Sequence, residues 1–143
     1  MSDIHAILFS NESFYLAFAK RDLGLMDDIW AEHTPVSCAH PGWGLVHGRD
    51  AVMESWHGIL TASKGPFAIE CHRPTAHFTG DLGYVTCYEV LNEASLLATN
   101  IFVHEKGIWK LVHHQAGAAP LPDDDDVSEP GGGAGEDIPT TMQ

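Results

Sequence analysis

The stretch from Tyr84 to Gly117, YVTCYEVLNEASLLATNIFVHEKGIWKLVHHQAG, most constrains what this chain can fold into. It reads as three consecutive antiparallel strands, 84–91, 96–105 and 108–116, each rich in β-branched, aromatic and aliphatic residues. Glu105-Lys106-Gly107 supplies the last turn, and Asn92 to Ser95 breaks the chain before it. Side chains along a strand alternate faces. If Leu91 pairs with Leu96 and Glu105 with Ile108, one face carries Val85, Cys87, Glu89, Ala98, Asn100, Phe102, Trp109, Leu111, His113 and Gln115. The pairing sets Glu89 across from Ala98, Cys87 from Asn100 and Asn100 from His113. A carboxylate, an amide and an imidazole then cluster among apolar neighbours.

The opposite face carries Tyr84, Thr86, Tyr88, Leu97, Thr99, Ile101, Val103, Ile108, Val112 and His114, and it is apolar too. A sheet apolar on both sides must be covered on both. The chain's own helices can cover one side and a second copy of the chain the other. A slip of one residue in register would exchange the faces.

The rest of the chain supplies the helices. Residues 9–21, FSNESFYLAFAKR, predict a helix capped by Ser10 or Asn11, with Phe14, Leu16, Ala17, Phe18 and Arg21 on its inward stripe. A second, from Leu23 to His33, is capped by Asp22 and buries Leu25, Met26, Ile29 and Trp30. Pro35 to His40 is a short strand, broken by the loop Pro41-Gly42-Trp43-Gly44, which can present Trp43 and His40 at a rim. A third helix starts at Gly48-Arg49-Asp50, carries Trp56 on its apolar stripe, and ends before Gly65-Pro66. Phe67 to Thr79 is a strand with Pro74 in its middle: an edge, a bulge or two short strands. This order predicts the α+β class, a curved, largely antiparallel sheet with about three N-terminal helices packed into one side.

Composition divides the chain at about residue 118. Residues 1–118 predict one domain with one core, and 119–143, with four consecutive Asp and a Gly/Pro-rich end, predict a disordered acidic tail. Seven of the acids behind the net charge of −13 lie in that tail, and the body remains acidic with only 7 Lys and Arg. Such a surface repels phosphate backbones, which argues against nucleic-acid binding. No apolar run approaches the ~20 residues of a membrane span. The start MSDIHAILFSNESF lacks the pattern of a secretory signal, so the expected location is cytoplasmic. Cys38, Cys71 and Cys87 are widely spaced in strand-like runs and read as buried free thiols. Ten histidines raise the question of a metal, yet no HxH or HxxxH spacing occurs. No metal and no cofactor is expected.

In the order and spacing of four stretches the chain resembles the nuclear transport factor 2-like superfamily, in its SnoaL-like and ketosteroid-isomerase-like bacterial branch. The stretches are FAKRDLGLMDDIWAE, SCAHPGWGLVHGRDAVMESW, GDLGYVTCYEV and ATNIFVHEKGIWKLVHHQAG, within residues 9–117. The resemblance implies a cone, a strongly bent sheet wrapped around helices with an apolar pocket inside, and a homodimer through the outer sheet face. The association domain of calcium/calmodulin-dependent kinase is similar in its closing strand, where Trp109, Val112 and His113 match and Gln115 replaces a second histidine. That relative has an arginine where this chain has Asn100 and a tyrosine where it has Cys87, so the shape is kept and the pocket chemistry changed.

Enzymes of the superfamily imply a cofactor-free isomerase, dehydratase or cyclase acting on a hydrophobic carbonyl compound. Proton abstraction beside a carbonyl needs a desolvated base and an oxyanion donor. Glu89 or His113 is the candidate base and Asn100 the candidate donor. His40, Trp43, Trp56, Cys87, Phe102 and Gln115 are the candidate ligand-contacting residues, although Trp56 and Phe102 read more readily as core. The simpler reading of Glu89 and His113 is an inert buried pair. A second functional class is a non-catalytic binding or assembly module, in which the dimer surface is the function.

Overall fold

In the computed structural model, residues 2–62 and 64–123 are described. Helix α1 (Asp3–Lys20) leads into α2 (Leu23–Ile29), β1 (Ser37–Ala39), β2 (Val46–His47) and α3 (Arg49–Thr61). Strands β3 (Ile69–Thr79), β4 (Leu82–Leu91), β5 (Ala94–Glu105) and β6 (Ile108–Ala118) follow. The strands form one mixed sheet in the order β2-β1-β6-β5-β4-β3, β1 running parallel to β6. The expected α+β class and the sheet with three helices on one side are what the chain adopts.

Local chemistry sets the helix ends. The Ser2 hydroxyl accepts from the His5 amide, so α1 begins six residues earlier than its sequence start at residue 9. Asn11, expected as a cap, lies inside the helix and is buried. Arg21 takes a left-handed conformation that closes α1, and Asp22 caps α2 as expected by accepting from the Leu25 amide at 3.0 Å. Helix α2 stops at Ile29, short of the predicted His33, because Trp30 turns extended and Ala31 donates to the Leu111 carbonyl. The loop beyond is pinned twice. Arg49 donates to the carbonyls of Asp27, Trp30 and Ala31. Against partial desolvation, Glu105 accepts from the amides of Glu32 and His33 and the hydroxyl of Thr34, which hold its carboxyl below the usual range.

The strand register differs from the sequence reading in two ways with different consequences. Leu91 pairs with Ala94 rather than Leu96, so Glu89 faces Leu96 and Cys87 faces Ala98. That slip is two residues, an even number, and every side chain keeps its face. Between β5 and β6, Glu105 pairs with Ile108 as expected, but the ladder jumps from Phe102↔Leu111 to Ile101↔His113. Val112 is therefore the extra residue of a bulge, and from there on the faces exchange. His114, not His113, points inward and pairs with Asn100. His113 and Gln115 stand on the outer face, opposite the sequence expectation.

Strand β3 is the edge strand foreseen for a segment holding Pro74, with its bulge between His72 and Thr75. The two-residue β2 was not foreseen. The core between helices and sheet is filled by Ile7, Phe14, Met26, Trp30, Trp56, Phe102 and Leu111. Past β6, Ala119 is hydrogen-bonded to Ser95, and Arg73 donates to the carbonyls of Pro122 and Asp123. Residues 119–123 of the expected tail thus lie against the body; 124–143 lie outside the described residues.

Candidate functional site

One polar network crosses the core between α1 and the inner sheet face. Its sheet side is Glu89 and Cys87 on β4, Asn100 on β5 and His114 on β6, all at 2% exposure or less. Its helix side is Asn11 and Tyr15, four residues apart on α1 and so on one stripe. Tyr15 donates to Glu89 Oε2 at 2.6 Å, and its oxygen lies 3.3 Å from the Cys87 thiol. Asn100 donates through Nδ2 to Asn11 Oδ1 at 2.8 Å and to the Tyr15 hydroxyl at 3.2 Å.

Those two donations fix the amide of Asn100, and its Oδ1 then accepts from His114 Nδ1 at 2.5 Å. His114 is therefore the Nδ1–H tautomer, and its Nε2 lone pair faces Glu89 Oε2 at 3.8 Å. Burial pushes the Glu89 carboxyl above the ordinary glutamate range, with the Tyr15 hydrogen bond opposing. Burial also lowers His114 to about 3, and the charges of His40 and His113 act the same way. Tyr15 is raised well above its usual value by burial and by Glu89. The network thus holds a neutral imidazole beside a carboxyl that retains its proton more readily than a solvated one.

A cleft of about 540 Å³ reaches this network from outside. It lies between α1 and β3, with Leu8, Leu16, Ala19, Ile69 and Pro74 as apolar walls. Asn11, Glu12, Tyr15 and Cys71 also line it. The volume is in the range of small-molecule sites, and apolar walls with a few polar groups are the usual pattern. Tyr15 is the link: its hydroxyl touches Glu89 and its side chain borders the cleft.

The residues expected at the site divide into four groups. Glu89, Asn100 and Cys87 are brought together. Trp56 and Phe102 are fully buried core, Trp56 packing on Phe14, Phe18 and His40. His113 is turned outward, its Nδ1 2.7 Å from Ser37 Oγ and its Nε2 3.3 Å from Gln115 Oε1. His40 and Trp43 belong to a different place. Trp43 is 51% exposed and lines a groove of about 600 Å³ with Val46, Glu54, Ser55 and Ile59.

Behind Trp43, His40 is buried and lowered to about 4 by desolvation. Ser55 donates to the Val52 carbonyl, so its oxygen accepts from His40 Nε2 at 2.9 Å. This Ser-His pair is wired away from nucleophilic use. Among the described residues, no group of three or more His, Cys, Asp or Glu could hold a metal ion.

Sequence reasoning missed Asn11, Tyr15, Cys71 and His114. The available signal was on α1, where Asn11 and Tyr15 interrupt the stripe of Ile7, Phe14 and Ala17.

Comparison with known proteins agrees with this architecture. A family model for the SnoaL-like domain matches residues 7–121. The F-box protein SKIP8 of Arabidopsis thaliana is 30% identical over 120 residues, which is 82% of this chain and 52% of that protein. The chain thus spans about half the length of this plant relative. Among solved structures, a candidate dehydratase of the NTF2-like family from Streptomyces avermitilis is 28% identical with a TM-score of 0.75, covering 83% of this chain and 97% of that one. A candidate calcium/calmodulin-dependent protein kinase type II association domain from Thiobacillus denitrificans is also 28% identical, with a TM-score of 0.69, covering 78% of this chain and 93% of that one. The match over nearly all of the described residues, together with the fold, makes this chain a member of the SnoaL-like family of the nuclear transport factor 2-like superfamily.

Proposed function

We propose that the chain binds a small apolar carbonyl compound in the cleft between α1 and β3 and acts on it by cofactor-free acid-base chemistry. The observation that carries this reading is the Tyr15–Glu89 hydrogen bond, which joins a desolvated carboxyl to the wall of the cleft. Glu89 is the base, and its raised proton affinity suits removal of a proton next to a carbonyl. For Tyr15 to take the oxyanion-donor role first expected of Asn100, its hydroxyl proton turns from Glu89 Oε2 to the carbonyl oxygen, which frees Glu89 as the base; the Asn100 amide is engaged by Asn11, Tyr15 and His114. Asn100 is then a positioning residue. The reaction class is isomerisation or dehydration, in keeping with the dehydratase description of the Streptomyces relative. Within the cell we place the protein in the cytoplasm; in the described residues no helix is long and apolar enough to cross a membrane, and all three cysteines are free.

An aryl ketone of the acetophenone type should raise the melting temperature by several degrees at a concentration ~100 times its Kd. Tyr15→Phe should weaken that binding about tenfold through loss of one hydrogen bond. No thermal shift in the wild-type protein would contradict the reading.

The assembly reading has its own observation, the outer sheet face. Leu82, Tyr84 and Leu97 are each more than 40% exposed there, and Tyr88, Ile101 and Val103 are half-buried beside them. The relative from Thiobacillus is described as an association domain, and we assign this face to a homodimer. Leu97→Glu is expected to give a monomer by sedimentation at micromolar concentration, with the wild-type chain a dimer. A wild-type monomer would remove the assignment.

A further inference from the structure

The proton chemistry above leaves two side chains without a role, the thiols of Cys71 and Cys87. They stand on the inner faces of the adjacent strands β3 and β4. Cys71 faces Glu89 across the ladder, and Cys87 is two residues before Glu89 on the same face. The two side chains are therefore diagonal neighbours on one face of the ladder. Cys87 and burial raise the pKa of the Cys71 thiol, and Cys71 lowers that of Cys87. The Tyr15 hydroxyl at 3.3 Å gives Cys87 a second polar neighbour.

Access and slack are on the same side. Cys71 is half-buried and lines the cleft, and Asn11 donates to its sulfur at 3.7 Å. Strand β3 is the sheet edge, and its bulge begins one residue beyond Cys71, so the backbone there can shift without breaking a ladder on both sides. The third cysteine differs in each respect: Cys38 is fully buried on β1, and desolvation raises its thiol to about 12.

We propose that Cys71 and Cys87 are a reversible dithiol–disulfide pair, oxidised by small hydroperoxides that enter through the cleft between α1 and β3. The Cys71 sulfur, which lines the cleft, attacks the peroxide, an S–O bond forms as the O–O bond breaks, and the leaving oxygen takes up the proton that Cys71 lost. The Cys87 sulfur behind it then attacks the Cys71 sulfur. The S–S bond forms, the S–O bond breaks, and water departs with the Cys87 proton. Two thiols supply two electrons, and one hydroperoxide becomes one alcohol (from hydrogen peroxide, water) plus one water. The reaction needs neither a bound carbonyl compound nor the Glu89 proton, so it stands apart from the proposed function.

The test treats the whole chain with stoichiometric hydrogen peroxide, then measures intact mass and counts thiols after unfolding. The expected product is a monomeric chain lighter by about 2 Da, the mass of two hydrogens, with one of its three thiols left and full recovery on addition of dithiothreitol. C38S should behave the same way, with no thiol left. C71S and C87S should each lose the 2 Da step, and each is a near-isosteric change that keeps the fold. Mass gains of oxygen atoms with no loss of two hydrogens, a chain-to-chain disulfide, or the same 2 Da loss in C71S would overturn the proposal.

Discussion

Replacing Asn100 with alanine is expected to lower stability by about 4 kcal/mol, from two buried groups left unpaired plus a cavity. The residue is fully buried and is the junction of the network. Without it, His114 Nδ1–H loses its acceptor and Asn11 Oδ1 loses its donor, both far from water. Tyr15 also loses the amide that holds its oxygen toward Glu89. Since a domain of this kind has a total stability of only about 5–15 kcal/mol, the loss is a large fraction of the whole. In urea the unfolding midpoint should fall by roughly 2 M. A shift below about 0.5 M would mean that the network carries little of the fold.

Acidification should weaken the fold, and the sign follows from two opposed sets of groups. His40 and His114, lowered to about 4 and about 3, bind fewer protons folded than unfolded. Their contribution is fully present above the ordinary histidine pKa of ~6.5 and is lost as pH falls through the folded values. Glu89, raised, contributes in the other direction: its stability is present below the ordinary glutamate value and lost as pH rises through the folded one. Two histidines against one carboxyl leave a net fall between pH 7 and pH 4, each histidine contributing on the order of 3–5 kcal/mol at most. Urea unfolding at pH 7, 6, 5 and 4 should show this decline. His114→Gln should flatten it, and Glu89→Gln should steepen it by removing the opposing group. Stability that stays level or rises on acidification would contradict the burial of these imidazoles.

The inner face of β4 and β5 was legible in the sequence because alternation survives an even slip in register. Glu89, Cys87 and Asn100 stayed together although none faced its expected partner. The third member changed for a reason that alternation cannot carry. Val112-His113-His114 contains no glycine or proline to mark a bulge, yet one extra residue there exchanged the two histidines. The helix side was missed because an aromatic in an amphipathic stripe reads as core. Tyr15 is core by its ring and network by its hydroxyl. Ser10 and Asn11 read as caps because they sit early in a polar run, while Ser2 does the capping. His40 and Trp43 were placed together at a rim, and they are in contact, but at the groove beside α3 and away from Glu89.

The base role proposed for Glu89, behind Tyr15 at the wall of the cleft, carries the proposed function. Its most direct test is proton NMR of an aryl methyl ketone in D2O with the protein present. The α-proton signal should decay faster than with an equal concentration of acetate, and Glu89→Gln should return the decay to the acetate rate while the protein stays folded. A wild-type rate no faster than acetate, or an undiminished rate in Glu89→Gln, would contradict it.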